Sequence, residues 1–422
     1  MSAPPFDLST YVPSDTLYLW WLSRPERPVF VGVLQTVRAM QGVSLRYAPG
    51  WLQHGFALSE DLPLIDMEFL PTEKQTAAGA VDDARPDRWG ERVIRLLDKP
   101  PRLSLLDYLF YAGDERFGAL GVSVSADDYR PRPLGPLPNL SDVKAIAALV
   151  KKIIAGEPVP PEQRRLIAPG VTLGGARPKA LLTLDDHPWM LKFAEPGDAV
   201  DTPLVEHATM TLAARAGIRV AETRPIALPK GHAVAVKRFD RVGTGRRHAL
   251  SARVALKAAG EPTMGYPELA QLLRRRGVVD SGRHSEQARE QMCELFRRMV
   301  FNILIDNTDD HEKNHALLVN DRGEVTLSPA YDVLPSGQGL GYQQMRVGTE
   351  MADSTLINAL SEASQFGLKA AEAMQQVREV AAVVEGWKKH FAAAGVTPAD
   401  IATLAPQIDR PFLAEQRSAQ SR

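Results

Sequence analysis

One cysteine in 422 residues, Cys293, rules out an internal disulfide; a small buried thiol is the expected state of that side chain. Charge of one sign is equally missing. Fifty Lys and Arg against 51 Asp and Glu leave a net charge of −1, so the whole molecule has no electrostatic basis for binding DNA by itself. The basic cluster Arg274-Arg275-Arg276 reads as a helix end complementing its dipole. No run of 18 apolar residues exists, and Met1-Ser2-Ala3-Pro4-Pro5 lacks the basic and apolar regions of a signal peptide. No membrane association and a cytoplasmic location are the expectation. Internal repeats and low-complexity segments are absent too.

The length suits two or three domains. Residues 1–125 open with apolar segments over Leu17–Leu22, Val29–Leu34 and Val43–Tyr47, followed by helical stretches near Arg88–Leu97 and Leu103–Tyr111. The proline-rich run Arg130–Pro138 marks a boundary, because proline resists both helix interiors and central strands. Residues 139–255 carry a helix, a glycine-rich loop and strands. Residues 256–422 are mostly helical, and Leu368–Ala394 reads as one long packing helix.

The richest stretch runs from Asn307 to Asp332. Asp309 is followed five residues later by Asn314, and Asp332 stands beyond a hairpin pattern turning at Asn320-Asp321-Arg322-Gly323. Upstream, Met292, Leu295, Phe296, Met299, Val300, Ile303 and Leu304 share one helical face, with Glu294, Arg297, Arg298 and Asn302 on the rest. Asp and Asn also serve as plain turn formers. With helix, hairpin and second Asp in order, the pattern is the parts list of phosphoryl transfer, in which one Asp meets a hydroxyl while Asn and Asp hold Mg2+ against ATP phosphates.

A phosphate cradle and a lysine precede it. Gly170-Val171-Thr172-Leu173-Gly174-Gly175 leads through Lys179 into a strand, and glycines let backbone N–H groups approach phosphate. After the turn at Asp185-Asp186, Lys192 sits in an apolar strand, where an unpaired charge is costly, and reads as the phosphate-binding lysine. Lys179 reads as a loop-edge residue. Glu206 begins an amphipathic helix, Leu204–Ala216, closed by Gly217, and either pairs with the strand lysine or complements the helix dipole. The strand Ala233–Val236 runs into Lys237-Arg238-Phe239-Asp240-Arg241, the place for an adenine-carrying hinge.

These motifs, with Pro329-Ala330-Tyr331-Asp332, resemble those of HipA-family serine/threonine kinases, the toxin half of bacterial HipBA-type pairs. Gly42–Tyr47 with Trp51 and Leu58-Ser59 is similar to the family's small β-rich subdomain, and Phe110–Gly121 to the joint after it. The resemblance implies an α+β, two-lobed protein-kinase-like fold with a small β-rich N-terminal subdomain and a mainly helical C-terminal lobe. It implies Asp309 as catalytic base, Asn314 and Asp332 as Mg2+ ligands, and Lys192 as the lysine on ATP. Lys237 to Phe239 would contact the adenine, while Thr172, Gly174, Gly175, Lys179 and Glu206 would complete the nucleotide site. His311 matches a loop position, holding the loop's shape or transferring a proton. The family's autophosphorylated loop serine is matched by Thr172.

The implied partners are a protein substrate, with an aminoacyl-tRNA synthetase as one candidate, and a small helix-turn-helix antitoxin encoded nearby, through which alone DNA would be reached. Two other functions fit parts of the pattern. An antibiotic-type small-molecule phosphotransferase also uses an Asp-x-x-x-x-Asn loop and a following Asp, and a non-catalytic co-repressor would only clamp an antitoxin.

Overall fold

The structure is a computed structural model describing residues 11–168, 175–280 and 283–419. The chain forms two compact units. The first joins residues 1–192 to 237–250 and 318–323, and the second joins 193–236 to 251–317 and 324–422.

The first unit starts with strands β1 (Thr16–Trp21), β2 (Val29–Val37), β3 (Gly42–Tyr47), β4 (Glu68–Phe69) and β5 (Leu120–Ser123). They make an antiparallel sheet in the order β4-β3-β2-β1-β5. Gly32 is needed where β2 meets β3, since a Cβ there would stand 2.2 Å from the Arg46 carbonyl oxygen. Helices Arg88–Leu97 and Leu105–Tyr111 follow, capped by Asp87 and by a Ser104–Asp107 capping box. No helix or strand occurs between Ser123 and Leu140, matching the proline-rich boundary, and Arg132 within it is pinned to Asp98 at 2.6 Å.

Past the helix Val143–Ala155, strands β6 (Lys179–Leu184) and β7 (His187–Phe193) form a hairpin. Its two-residue loop, Asp185-Asp186, has φ of 50° and 56°; Asp tolerates this left-handed geometry better than most residues, and it matches the strand twist. The segment after Lys237 belongs to the same unit through a buried ionic cluster. Arg238 and Arg241 both bind Asp240 at 2.7 Å and the Arg116 carbonyl at 2.9 and 2.8 Å, while Asp240 accepts the Gly118 N–H at 2.9 Å. Burial alone would raise the Asp240 pKa, but the two guanidinium groups hold it far below the usual carboxylate range.

The second unit holds strands β8 (Thr223–Ala227) and β9 (His232–Lys237, its last residue excepted) as a hairpin, and most of the helices. The helix expected at Met292–Leu304 begins earlier, at Glu286, with Ser285 as its cap. Part of its polar side is buried: Glu294, Arg298 and Asn302 are all bonded inside the protein. The single long helix expected over Leu368–Ala394 is two, Ala370–Glu385 and Trp387–Ala393. The break falls at Gly386, and Trp387 beyond it is buried, donating to Asp409 at 2.9 Å. Arg274–Arg276 do end a helix, Tyr266–Arg276, and Cys293 is half-buried. Among the described residues no helix is long and apolar enough to cross a membrane.

His248 gives the first unit an acid sensitivity. It is buried edge-on against Trp21 (5.3 Å between ring centres), its Nε2 bonded to the Leu58 carbonyl at 3.2 Å. Burial pushes its pKa from 6.5 down to about 4. A depressed histidine stays neutral in the fold but takes up a proton when unfolded, so its stabilisation is complete above pH 6.5 and drains away as pH falls towards 4. Between pH 7 and 4.5 the wild type should lose about 2–3 kcal/mol from this group. Urea unfolding at the two pH values should show a correspondingly smaller loss for His248→Gln.

Candidate active site

The loop carrying the Asp309 motif is built from the end of the helix Glu286–Leu304. Asp306 takes a φ of 61°, turning the chain out of the helix, and its carboxylate is paired with Arg410 at 2.7 Å. Asn307 returns both its backbone N–H and its side-chain amide to Asn302, at 2.9 and 3.1 Å. Next, the two acids diverge. Asp310 is 1% exposed and accepts from the Tyr266 hydroxyl and from His315 Nε2, the latter at 2.8 Å. Asp309 faces outward and accepts the Gln344 side-chain amide at 2.8 Å.

The Asp309 pKa is raised. Partial burial is the main cause, His311 opposes it, and the Asp332 carboxylate adds to it. The side chain of His311 is turned onto its own loop, its Nδ1 accepting the Lys313 N–H at 3.3 Å while its carbonyl accepts the Asn314 N–H at 2.8 Å. That geometry suits shaping the loop.

Asn314 is 6% exposed, and its Oδ1 is buried without a hydrogen-bond partner. Leaving such an atom unsatisfied costs about 1–3 kcal/mol, so a group that uses it as an acceptor or ligand is favoured there. Asp332 follows a firmly held approach. Arg298 donates to the Ser328 carbonyl at 2.6 Å, Ala330 exchanges backbone bonds with Arg219 and Ala221 at 2.7 and 2.8 Å, and the Tyr331 hydroxyl reaches the Lys313 carbonyl at 2.7 Å. Asp332 itself has a φ of 60°, a left-handed conformation uncommon for non-glycine residues but one that Asp tolerates better than most. Among the described residues no group of three His, Cys, Asp or Glu could hold a metal. An amide oxygen and one carboxylate fit a hard cation only if phosphate and water complete its shell, as Mg2+ prefers.

The first unit carries the other motif residues. Thr172 and Gly174 lie outside the described residues. Gly175 is exposed with a φ of 57°. Lys179 differs from the loop-edge reading: it is fully buried, ion-paired with Asp87, and donates to the Gly175 carbonyl at 2.8 Å. Asp87 also caps the helix Arg88–Leu97, and Trp89 on that helix donates to the Lys179 carbonyl at 2.7 Å. Lys179 thus ties the exit of the glycine-rich loop to a helix start. Lys192 stands directly opposite Lys179 in the hairpin and is buried as well, 3% exposed. Lys237 lies over the Trp189 ring at 5.9 Å, and Phe239 meets Phe117 edge-on at 6.0 Å. Glu206, in the second unit, is buried on the helix Thr202–Arg215.

Gln344, Tyr266, His315 and Asp87 escaped the sequence reading. None is a member of the Asp309–Asn314 spacing or the glycine-loop pattern; Gln344, Tyr266 and Asp87 act from distant parts of the chain that no local signal marks, and His315, next to Asn314, carries no sequence sign that it bonds Asp310.

Comparison with known proteins gives the chain a family and a fold. Residues 171–387, just over half of the chain, match the family described as HipA-like C-terminal domain. The Sinorhizobium fredii proteins Y4dM and Y4mE, both named as candidate kinases, are 28% identical over 228 residues and 25% identical over 342. The first match takes in 49% of this chain and 54% of Y4dM, so the chain spans about half the length of that relative. The second takes in 75% of this chain and 76% of Y4mE. The HipA chain of a Shewanella oneidensis MR-1 toxin–antitoxin complex of HipA, HipB and operator DNA superimposes with a TM-score of 0.61 at 16% identity. That match covers 95% of this chain and 99% of that one. The fold is therefore that of HipA, the kinase-like α+β fold expected.

The Lys179–Asp87 pair can be tested directly. Asp87→Ala strands a buried ammonium and removes a helix cap, and should lower stability by about 3–5 kcal/mol. Lys179→Met, which removes the buried charge itself, should cost less. Chemical denaturation of the three proteins decides; a loss under about 1 kcal/mol for Asp87→Ala would contradict the assignment.

Proposed function

The chain belongs to the HipA family, and on that premise we propose that it is an ATP- and Mg2+-dependent serine/threonine protein kinase. The observation that carries this reading is the Asp309 loop: an outward carboxylate, an Asn314 amide oxygen buried without a donor, and an Asp332 close enough to act on Asp309 electrostatically.

In this reading Asp309 receives the hydroxyl of the acceptor residue, orients it and takes its proton. Its raised pKa makes it a better proton acceptor than an ordinary carboxylate. Asn314 Oδ1 and the Asp332 carboxylate would hold Mg2+, which when bound neutralises charge on the phosphates. Lys192 would bind phosphate oxygens, positioned by its apolar strand. Lys179, held by Asp87 and the Gly175 carbonyl, would fix the exit of the glycine-rich loop beside the nucleotide site. Lys237 and Phe239 would border the adenine, and Glu206 would support the lysine. With a net charge of −1, DNA contact would come through a small helix-turn-helix antitoxin, the kind of partner that the likeness to HipA supports. The acceptor would be a protein, an aminoacyl-tRNA synthetase being the candidate class, and the site of action the cytoplasm.

Asp309→Asn and Asp332→Asn should each cut phosphoryl transfer from radiolabelled ATP to protein on the order of a thousandfold. Chelation of divalent metal should act likewise, with recovery on adding Mg2+. Transfer to an aminoglycoside but to no protein would instead favour a small-molecule phosphotransferase. Loss of the lysine should act on binding. Lys192→Ala should weaken ATP affinity about ten- to a hundredfold by calorimetry, the range of a hydrogen bond to a charged group. Lys192→Arg should restore it only in part, because a planar fork does not replace a point charge. Equal affinity for wild type and Lys192→Ala would remove this role.

A further inference from the structure

Residues 342–347 alternate between outside and inside with a period of two. Gln343, Met345 and Val347 are buried, while Tyr342 and Gln344 are exposed. The inward residues and the backbone lock this stretch from both sides. Gln343 N–H donates to the Ala352 carbonyl at 2.7 Å, and its side chain donates to Ser354 at 2.9 Å. On the other side Arg346 N–H donates to the Met264 carbonyl at 3.1 Å, and Tyr266 N–H to the Arg346 carbonyl at 3.0 Å. The Arg346 guanidinium closes the brace on Glu268 and Glu362, both at 2.6 Å.

This braced segment reaches both acids of the catalytic loop. Through Tyr266, bonded to its backbone, it holds Asp310. Through Gln344 it holds Asp309: the amide Nε2 donates to Oδ1 at 2.8 Å. An aspartate carboxylate turns broadly about its last bond, so one fixed oxygen defines the plane of both. A neutral amide does so without the ion pair that a lysine or arginine would form, which would weaken the carboxylate as a base. The remaining charged neighbours are His311, which favours the ionised form, and Asp332 and Asp310, which oppose it.

We propose that Gln344 is a positioning residue for phosphoryl transfer: it engages one Asp309 oxygen so that the other is presented to the acceptor hydroxyl. The role rests on the kinase reading above and assigns Gln344 no contact with substrate or nucleotide.

The test compares Gln344→Met, which keeps the shape and loses the donor, with Gln344→Glu, which keeps the shape and adds a repelling charge. For a protein acceptor, kcat should fall about ten- to a hundredfold in Gln344→Met, the range for losing a hydrogen bond to a charged group, and further in Gln344→Glu. ATP affinity and the urea midpoint should stay at wild-type values. In nucleotide-free protein with 13C-labelled aspartate, the Asp309 carboxyl resonance, assigned with Asp309→Asn, should move in Gln344→Met. Wild-type kcat in Gln344→Met, or an unmoved Asp309 resonance, overturns the inference alone. So does a kcat loss that merely follows a loss of stability. Absence of transfer by the wild-type chain overturns the kinase reading, and this inference with it.

Discussion

The buried carboxyl group of Asp310 decides where the Asp309 loop points. It lies 1% exposed and is bonded to the Tyr266 hydroxyl and to His315 Nε2, partners 44 and five residues away in sequence. A carboxyl group buried without such donors would cost several kcal/mol, so the loop can close only where both are in place. Once Asp310 is drawn inward, Asp309 beside it turns outward, and Asn314 is brought back under the loop through the His311 carbonyl. Tyr266 is itself backed by Asn302 at 3.2 Å, which ties this arrangement to the buried helix Glu286–Leu304.

The first unit relies on the same kind of device. Asp240 sits between Arg238 and Arg241, and their guanidinium groups reach the carbonyls of Glu115, Arg116 and Gly118. Lys179 and Asp87 join the exit of the glycine-rich loop to the start of a helix. Buried pairs of this sort contribute little net stability, because desolvation offsets most of their attraction. Their directional bonds nevertheless leave the chain few alternative arrangements. In both units, then, the segments carrying the motifs are placed by buried, hydrogen-bonded polar groups and not by apolar packing alone.

Much of this was legible in the residues. The apolar strands near the N-terminus, the helical stretches after them, the turn at Asp185-Asp186 and the turn at Asn320–Gly323 follow from local composition, periodicity and turn chemistry. The spacing of Asp309, Asn314 and Asp332 is what points to phosphoryl transfer in the proposed reading, because a helix exit and a turn between two short strands bear on how the three can be placed. Local patterns misled where tertiary burial intervened. Glu294, Arg298 and Asn302 stood off the apolar face of their helix in the sequence yet serve as buried anchors for neighbouring segments. Lys179 looked like a loop-edge residue because Asp87, 92 positions earlier, carries no mark of their pairing.

The sequence by itself determined which side chains could do chemistry and the order in which the chain offers them, since helix, strand and turn preferences act over a few residues. Only the tertiary structure decided how each one is held. It set Asp310 inward and Asp309 outward, left the Asn314 oxygen without a donor, and brought Gln344 to Asp309 across 35 residues. The physical reason is that hydrogen bonds and desolvation depend on distance in space, and a linear pattern of residue types carries no record of which distant donor will meet which buried acceptor.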